Sequence, residues 1–141
     1  MSLDVYLYAA RPTEVWTHNI THNLGRMANA VVFEHSGLQV LLPPENLSAG
    51  ALAFEKRTNG AKGPPTLYHV LWRPEELGIK RAVEMRGLLV EGYRLLCAKR
   101  EELETLNPEN GWGSYDTLVS FVRAYIAACE QNPDAEISVS R

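Results

Sequence analysis

Glu136-Ile137-Ser138-Val139-Ser140 alternates polar and apolar side chains with the period of two that marks a half-buried strand. Near the other end of the 141-residue chain, Leu3-Asp4-Val5-Tyr6-Leu7-Tyr8 is rich in the β-branched and aromatic residues that suit a strand. Arg11-Pro12-Thr13 breaks this run and Glu14-Val15-Trp16-Thr17 resumes it, so an N-terminal hairpin is expected. Strands at both ends with helical patterns between them read as one α+β domain over residues 1–141. Its expected architecture is a small antiparallel sheet of N- and C-terminal strands, with about three helices packed on one face.

Inward from the first hairpin the spacing becomes helical at Asn19, with Leu24, Met27, Ala28 and Val31 on one side. Asn19 or Thr21 supplies a capping oxygen there, since either can accept from a free backbone N–H of the first turn. Pro74 suits a first helical position, Glu75 and Glu76 sit where a helix N-terminus favours negative charge, and Gly78 ends that turn. A long helix is then expected over residues 79–106, buried along Ile79, Ala82, Val83, Leu89, Val90, Tyr93, Leu96 and Cys97. Gly87 and Gly92 within it each lower helicity by roughly 1 kcal/mol relative to alanine, which points to close packing against another element. Residues 107–113 form a loop, and Ser114 caps a last helix striped by Tyr115, Leu118, Val119, Val122, Tyr125, Ile126 and Cys129. Residues 35–66 differ in character: Pro, Gly and polar breaks separate short candidate strands at 38–42 and 51–56, an irregular or β-hairpin excursion from the core.

Composition excludes several classes. With 45% hydrophobic and 22% charged residues the chain is not wholly disordered, and its net charge of −3 offers no basic excess to neutralise phosphates, which disfavours nucleic acid as a partner. The first ten residues include Asp4 and lack a basic segment, and no apolar run approaches the about 18 residues of a membrane span. No membrane partner and a cytoplasmic location are therefore expected. Cys97 and Cys129 both fall on apolar helical stripes and read as buried free thiols.

No nucleotide, metalloprotease, nucleophile-elbow or Cys-x-x-Cys motif is present, so no cofactor is expected. Three polar segments remain. Thr17-His18-Asn19-Ile20-Thr21-His22-Asn23-Leu24-Gly25 places two imidazoles four residues apart. On one helix face they would supply two metal ligands, but a third would have to come from His35, His69 or a carboxylate, and no metal site is expected. Their structural alternative is helix capping by Asn19, Thr21 and Asn23. In residues 107–116, Trp112 between Gly111 and Gly113 either plugs the domain, the commoner role of tryptophan, or stacks on a planar ligand. In Trp72-Arg73-Pro74-Glu75-Glu76, Arg73 either grips an anion or forms a surface ion pair with a glutamate.

Asn19-Ile20-Thr21-His22-Asn23-Leu24-Gly25, Leu71-Trp72-Arg73-Pro74-Glu75-Glu76 and Asn107-Pro108-Glu109-Asn110-Gly111-Trp112-Gly113-Ser114-Tyr115 resemble segments of a family of small bacteriophage and bacterial proteins with no assigned activity. The likeness extends to the two ends of the chain and departs at residues 35–66 and at His18. It implies a phage or prophage setting, in a host-cell cytoplasm, and names no chemistry. The residues themselves suggest a binding protein whose pocket uses His22, Asn23, Trp72, Arg73, Asn110 and Trp112. They supply donors, acceptors and stacking faces for a small polar ligand, a nucleotide-like compound being one candidate. Two alternatives stand beside it: an enzyme with His22 as general acid or base oriented by Glu109, Asp116 or Glu75, and an interaction or inhibitor module that engages a host protein through residues 35–66.

Overall fold

In the computed structural model, which describes residues 2–10, 13–33 and 66–141, both ends of the chain meet in one sheet. Strand β1 (Ser2–Ala10) lies between β2 (Thr13–Thr21) and β3 (Glu136–Ser140), antiparallel to each. Register follows burial. Leu3, Val5 and Leu7 point into the core and meet Ile20, His18 and Trp16 on one side, while Val5 and Leu7 meet Val139 and Ile137 on the other. The alternate residues Ser2, Asp4, Tyr6 and Tyr8 are half-buried on the outer face.

Strand β2 continues four residues beyond the expected Thr17, through the stretch whose polar residues suggested a helix start. The cause is pairing at a distance: Ile20, opposite Leu3, is 3% exposed and gains more from the sheet than from a helix whose interior it would enter. Asn19 is accordingly a strand residue and not a cap. Thr21 takes that role, its Oγ1 accepting from the Asn23 N–H at 3.3 Å to start a 3-10 turn, His22–Leu24, that runs into α1 (Gly25–Asn29). Leu24, Met27, Ala28 and Val31 are all buried, as their spacing requires.

Val32 bridges Thr66, and the Leu67 N–H donates to the Val31 carbonyl at 2.8 Å. The chain thus departs from and returns to the core at one narrow neck. The strands expected at 38–42 and 51–56 lie outside the described residues. Because the neck closes on itself, replacing residues 37–63 by a short Gly/Ser linker is expected to leave a domain that melts cooperatively by circular dichroism. Loss of the cooperative transition would show that those residues complete the core.

Helix α2 (Leu67–Trp72) begins at Thr66, whose N–H donates to His69 Nδ1 at 3.3 Å. Pro74 opens the 3-10 turn Pro74–Leu77, and Gly78 ends it with φ 74°. The expected single helix over 79–106 is two: α3 (Ala82–Ala98) and α4 (Arg100–Glu104), interrupted at Lys99 (φ −107°, ψ 22°). Residues before it belong to the sheet margin instead, with Lys80 accepting from the Ile137 N–H at 2.8 Å and Arg81 bridging Glu136. The buried stripe of α3 is Ala82, Met85, Leu88, Leu89, Gly92 and Leu96. Val83 and Val90 lie on its flank, 53% and 43% exposed, Cys97 is exposed and Tyr93 half-buried, correcting four expected core positions. Gly92 explains the rotation. A Cβ there would lie 2.8 Å from Leu67 Cδ1 and 3.5 Å from Phe33 Cζ, so the bare face of the helix receives both side chains.

Helix α5 (Tyr115–Gln131) packs beside α3 and beneath β2, where Tyr125 stacks on Trp16 at 5.3 Å and Phe121 lies 5.2 Å from His18. Ser114 caps it as expected, its Oγ accepting from the Thr117 N–H at 3.3 Å. Cys129 is buried, which pushes its thiol up to about 12. Among the described residues no helix is long and apolar enough to cross a membrane.

Candidate functional site

At the end of the sheet where β1 begins and β2 finishes, three chain segments enclose an open cleft of about 760 Å³. Ser2, Asn19 and Thr21 contribute from the outer sheet face: Ser2 is paired with Thr21 and Asn19 with Asp4, so the hairpin register puts them on one surface. His22 and Asn23 follow from the turn that Thr21 starts, and Asn110 and Trp112 close the far side from the loop before α5.

That loop is held at both ends. Asn107 Oδ1 accepts from the Tyr115 N–H at 2.8 Å, and Asn110 Oδ1 accepts from the Trp112 N–H at 3.0 Å. Gly111 (φ 76°) and Gly113 (φ 91°) bracket the indole with backbone angles that side-chain-bearing residues rarely adopt. Gly113 also forms the seam between the two walls, since a Cβ there would lie 2.8 Å from Thr21 Cγ2 and 3.1 Å from Leu24 Cγ. Trp112 is 69% exposed and does not plug the domain. Tyr115 fills that space, 4% exposed, with its hydroxyl donating to the Leu96 carbonyl at 2.6 Å.

Four of the six residues singled out from the sequence, His22, Asn23, Asn110 and Trp112, therefore lie around one concavity. Trp72 and Arg73 do not line it. Trp72 is 2% exposed, stacked on Tyr68 at 5.1 Å and set 6.1 Å behind the His22 ring, so it is a floor under the cleft wall. Arg73 pairs with Glu76 at 3.1 Å, and hydrogen bonds to Tyr68 and then Glu76 raise its guanidinium above its ordinary value. This is the surface-pair alternative. Ser2, Asn19 and Thr21 complete the lining but were not read as site residues, because only the strand register brings them together.

Comparison with protein-family models, curated proteins and solved structures finds no match to this chain. Its functional reading rests on the cleft's own chemistry.

The lining is electrically bare. Among the described residues it contains no lysine, arginine, aspartate or glutamate, and His22 is its one imidazole. Its Nε2 is buried and has no hydrogen-bond partner among the described residues. The two histidines do not share a helix face: His18 sits in β2 against Phe121, with Nδ1 accepting from the Asn19 N–H at 2.9 Å, while His22 sits in the following turn. His69 is occupied at the start of α2, and His35 lies outside the described residues. Among the described residues no group of three or more His, Cys, Asp or Glu side chains is placed to hold a metal ion. Of the carboxylates considered as partners for His22, Glu75 pairs with Arg141 at 2.6 Å, Asp116 lies 4.0 Å from Arg100, and Glu109 does not line the cleft.

Proposed function

We propose that this protein is a binding protein for a small, polar ligand with a flat face, which the cleft holds without chemical turnover. One observation carries the reading: a tryptophan ring left 69% exposed beside a cleft walled by carboxamides and hydroxyls. The volume of about 760 Å³ falls within the usual ~300–1,000 Å³ range of small-molecule sites. Binding is favoured over catalysis because, among the described residues, none of the three candidate carboxylates lines the cleft with His22, and the lining holds no cysteine or lysine to act as a nucleophile. In the phage or prophage setting that the family resemblance implies, such a protein would act by sequestering a host metabolite.

Thermal-shift screening against polar metabolites, followed by retesting on variants, checks the proposal. A true ligand at about 100 times its Kd raises unfolding free energy by about 2.7 kcal/mol, and Trp112→Ala is expected to abolish that gain. The unliganded variant should stay within about 1 kcal/mol of wild type, because truncating an exposed ring removes little packing. A ligand that stabilises Trp112→Ala as well as wild type, or that is converted to product, overturns the reading.

A further inference from the structure

We infer that the face the cleft recognises is a nucleobase or a heterocycle of the same amide chemistry, and that any attached phosphate goes unread. This rests on the binding role proposed above and adds the ligand class.

The first support is the orientation of Asn110. Its Oδ1 is committed to the Trp112 N–H at 3.0 Å, so its amide nitrogen is left as the donor beside the indole. A ring stacked on Trp112 would present its edge to that donor. Asn19 and Asn23 add two more carboxamides in the same lining, each carrying a planar donor–acceptor pair. Carboxamides match the in-plane edges of purines and pyrimidines, where one side chain can both donate and accept. Stacking on an indole accepts any base, because every base has a π-face, so Trp112 supplies affinity and the amides supply choice.

The second support is charge. Phosphate recognition uses arginine, lysine or a metal, and among the described residues the lining offers no such cation. Of the described arginines, Arg73 is paired with Glu76 and Arg141 with Glu75 and the Trp72 carbonyl, while Arg26, on α1, does not line the cleft. The same bareness counts against a saccharide. Adjacent hydroxyls are gripped best by ionised carboxylates or guanidinium forks, whose charge offsets the water each hydroxyl gives up, whereas a heterocycle edge needs only neutral partners in its plane.

Isothermal titration of the full chain tests this with adenosine, guanosine, cytidine and uridine, their 5′-monophosphates, inorganic phosphate, glucose and ribose. At least one nucleoside is expected to bind, and its monophosphate to bind within about threefold of it, with Kd changing less than about twofold between 50 and 200 mM salt because no phosphate contact is made. Asn110→Ala should weaken the nucleoside about tenfold, as the loss of one well-made polar contact does, and lower the melting point by no more than about 4 °C through the lost bond to the Trp112 N–H. A monophosphate favoured more than about tenfold over its nucleoside would show a cation at the site and overturn the inference. Binding of glucose or ribose through Trp112, with no nucleoside bound, overturns the ligand class and leaves the binding role standing. Failure of every probe, together with failure of the wider metabolite screen, removes both.

Discussion

Trp72→Ala is expected to cost about 3 to 5 kcal/mol of unfolding free energy, a large share of what a domain of this size holds in reserve. The ring is 2% exposed, lies nearly parallel to Tyr68 at an interplanar angle of 15°, and has the His22 imidazole tilted against it at 6.1 Å. Alanine would leave a cavity bounded by two rings that are themselves fixed, Tyr68 in α2 and His22 in the turn capped by Thr21, so collapse into the void is restricted. Trp72→Phe keeps a ring in the site and should cost less. Urea denaturation of both variants beside Trp112→Ala makes the test internal, because the two tryptophans differ in exposure, 2% against 69%. Losses below about 1 kcal/mol for Trp72→Ala would show that the ring does not support the wall. A loss near the expected value should also weaken ligand binding, through displacement of His22, though Trp72 lines no part of the cleft.

The contrast between these two tryptophans marks a limit of reading sequence. Both are aromatic residues inside polar segments, and tryptophan is more often buried than not, which favoured a plug at Trp112. What decided the matter is not local to either. Tyr115 reaches the Leu96 carbonyl and fills the space beneath the loop, leaving Trp112 outside, while Tyr68, half-buried one helical turn before Trp72, stacks on it and covers its face. The terminal strands were legible because alternation and β-rich composition survive in isolation, and the Ser114 cap was legible because capping is a local bond. Asn19-Ile20-Thr21 misled for the same reason: its side chains suit a helix start, yet Leu3, far away in sequence, holds Ile20 in the sheet. In α3 apolar residues occupy two adjacent stripes, and the choice of Met85, Leu88 and Gly92 over Val83, Val90 and Cys97 was made by Leu67 and Phe33. The site follows the same division. His22, Asn23, Asn110 and Trp112 could be named from polar segments beside glycines, whereas Ser2, Asn19 and Thr21 required the register of a hairpin.

Gly113→Ala is expected to destabilise the protein by about 2 to 4 kcal/mol, and by clearly more than Gly111→Ala, which should cost about 1 to 2 kcal/mol. Both glycines have positive φ, so alanine is strained at either position. They differ in surroundings. Around Gly111 nothing lies within 4 Å of an added Cβ, and its cost is conformational only. At Gly113 the methyl would meet Thr21 Cγ2 at 2.8 Å and two Leu24 atoms at 3.1 Å. Leu24 is fully buried and Thr21 is held by its pairing with Ser2 and its cap on Asn23, so neither can withdraw freely. The relief is for the loop to move away, which separates the wall carrying Asn110 and Trp112 from the wall carrying His22 and Asn23. A ligand held by both walls should therefore bind Gly113→Ala more weakly than its loss of stability alone would suggest, and bind Gly111→Ala nearly as well as wild type. Chemical denaturation gives the stability difference and titration with the wild-type ligand gives the affinities. Equal destabilisation by the two substitutions would mean that Thr21 and Leu24 yield to the methyl, and that the seam at Gly113 does not set the width of the cleft.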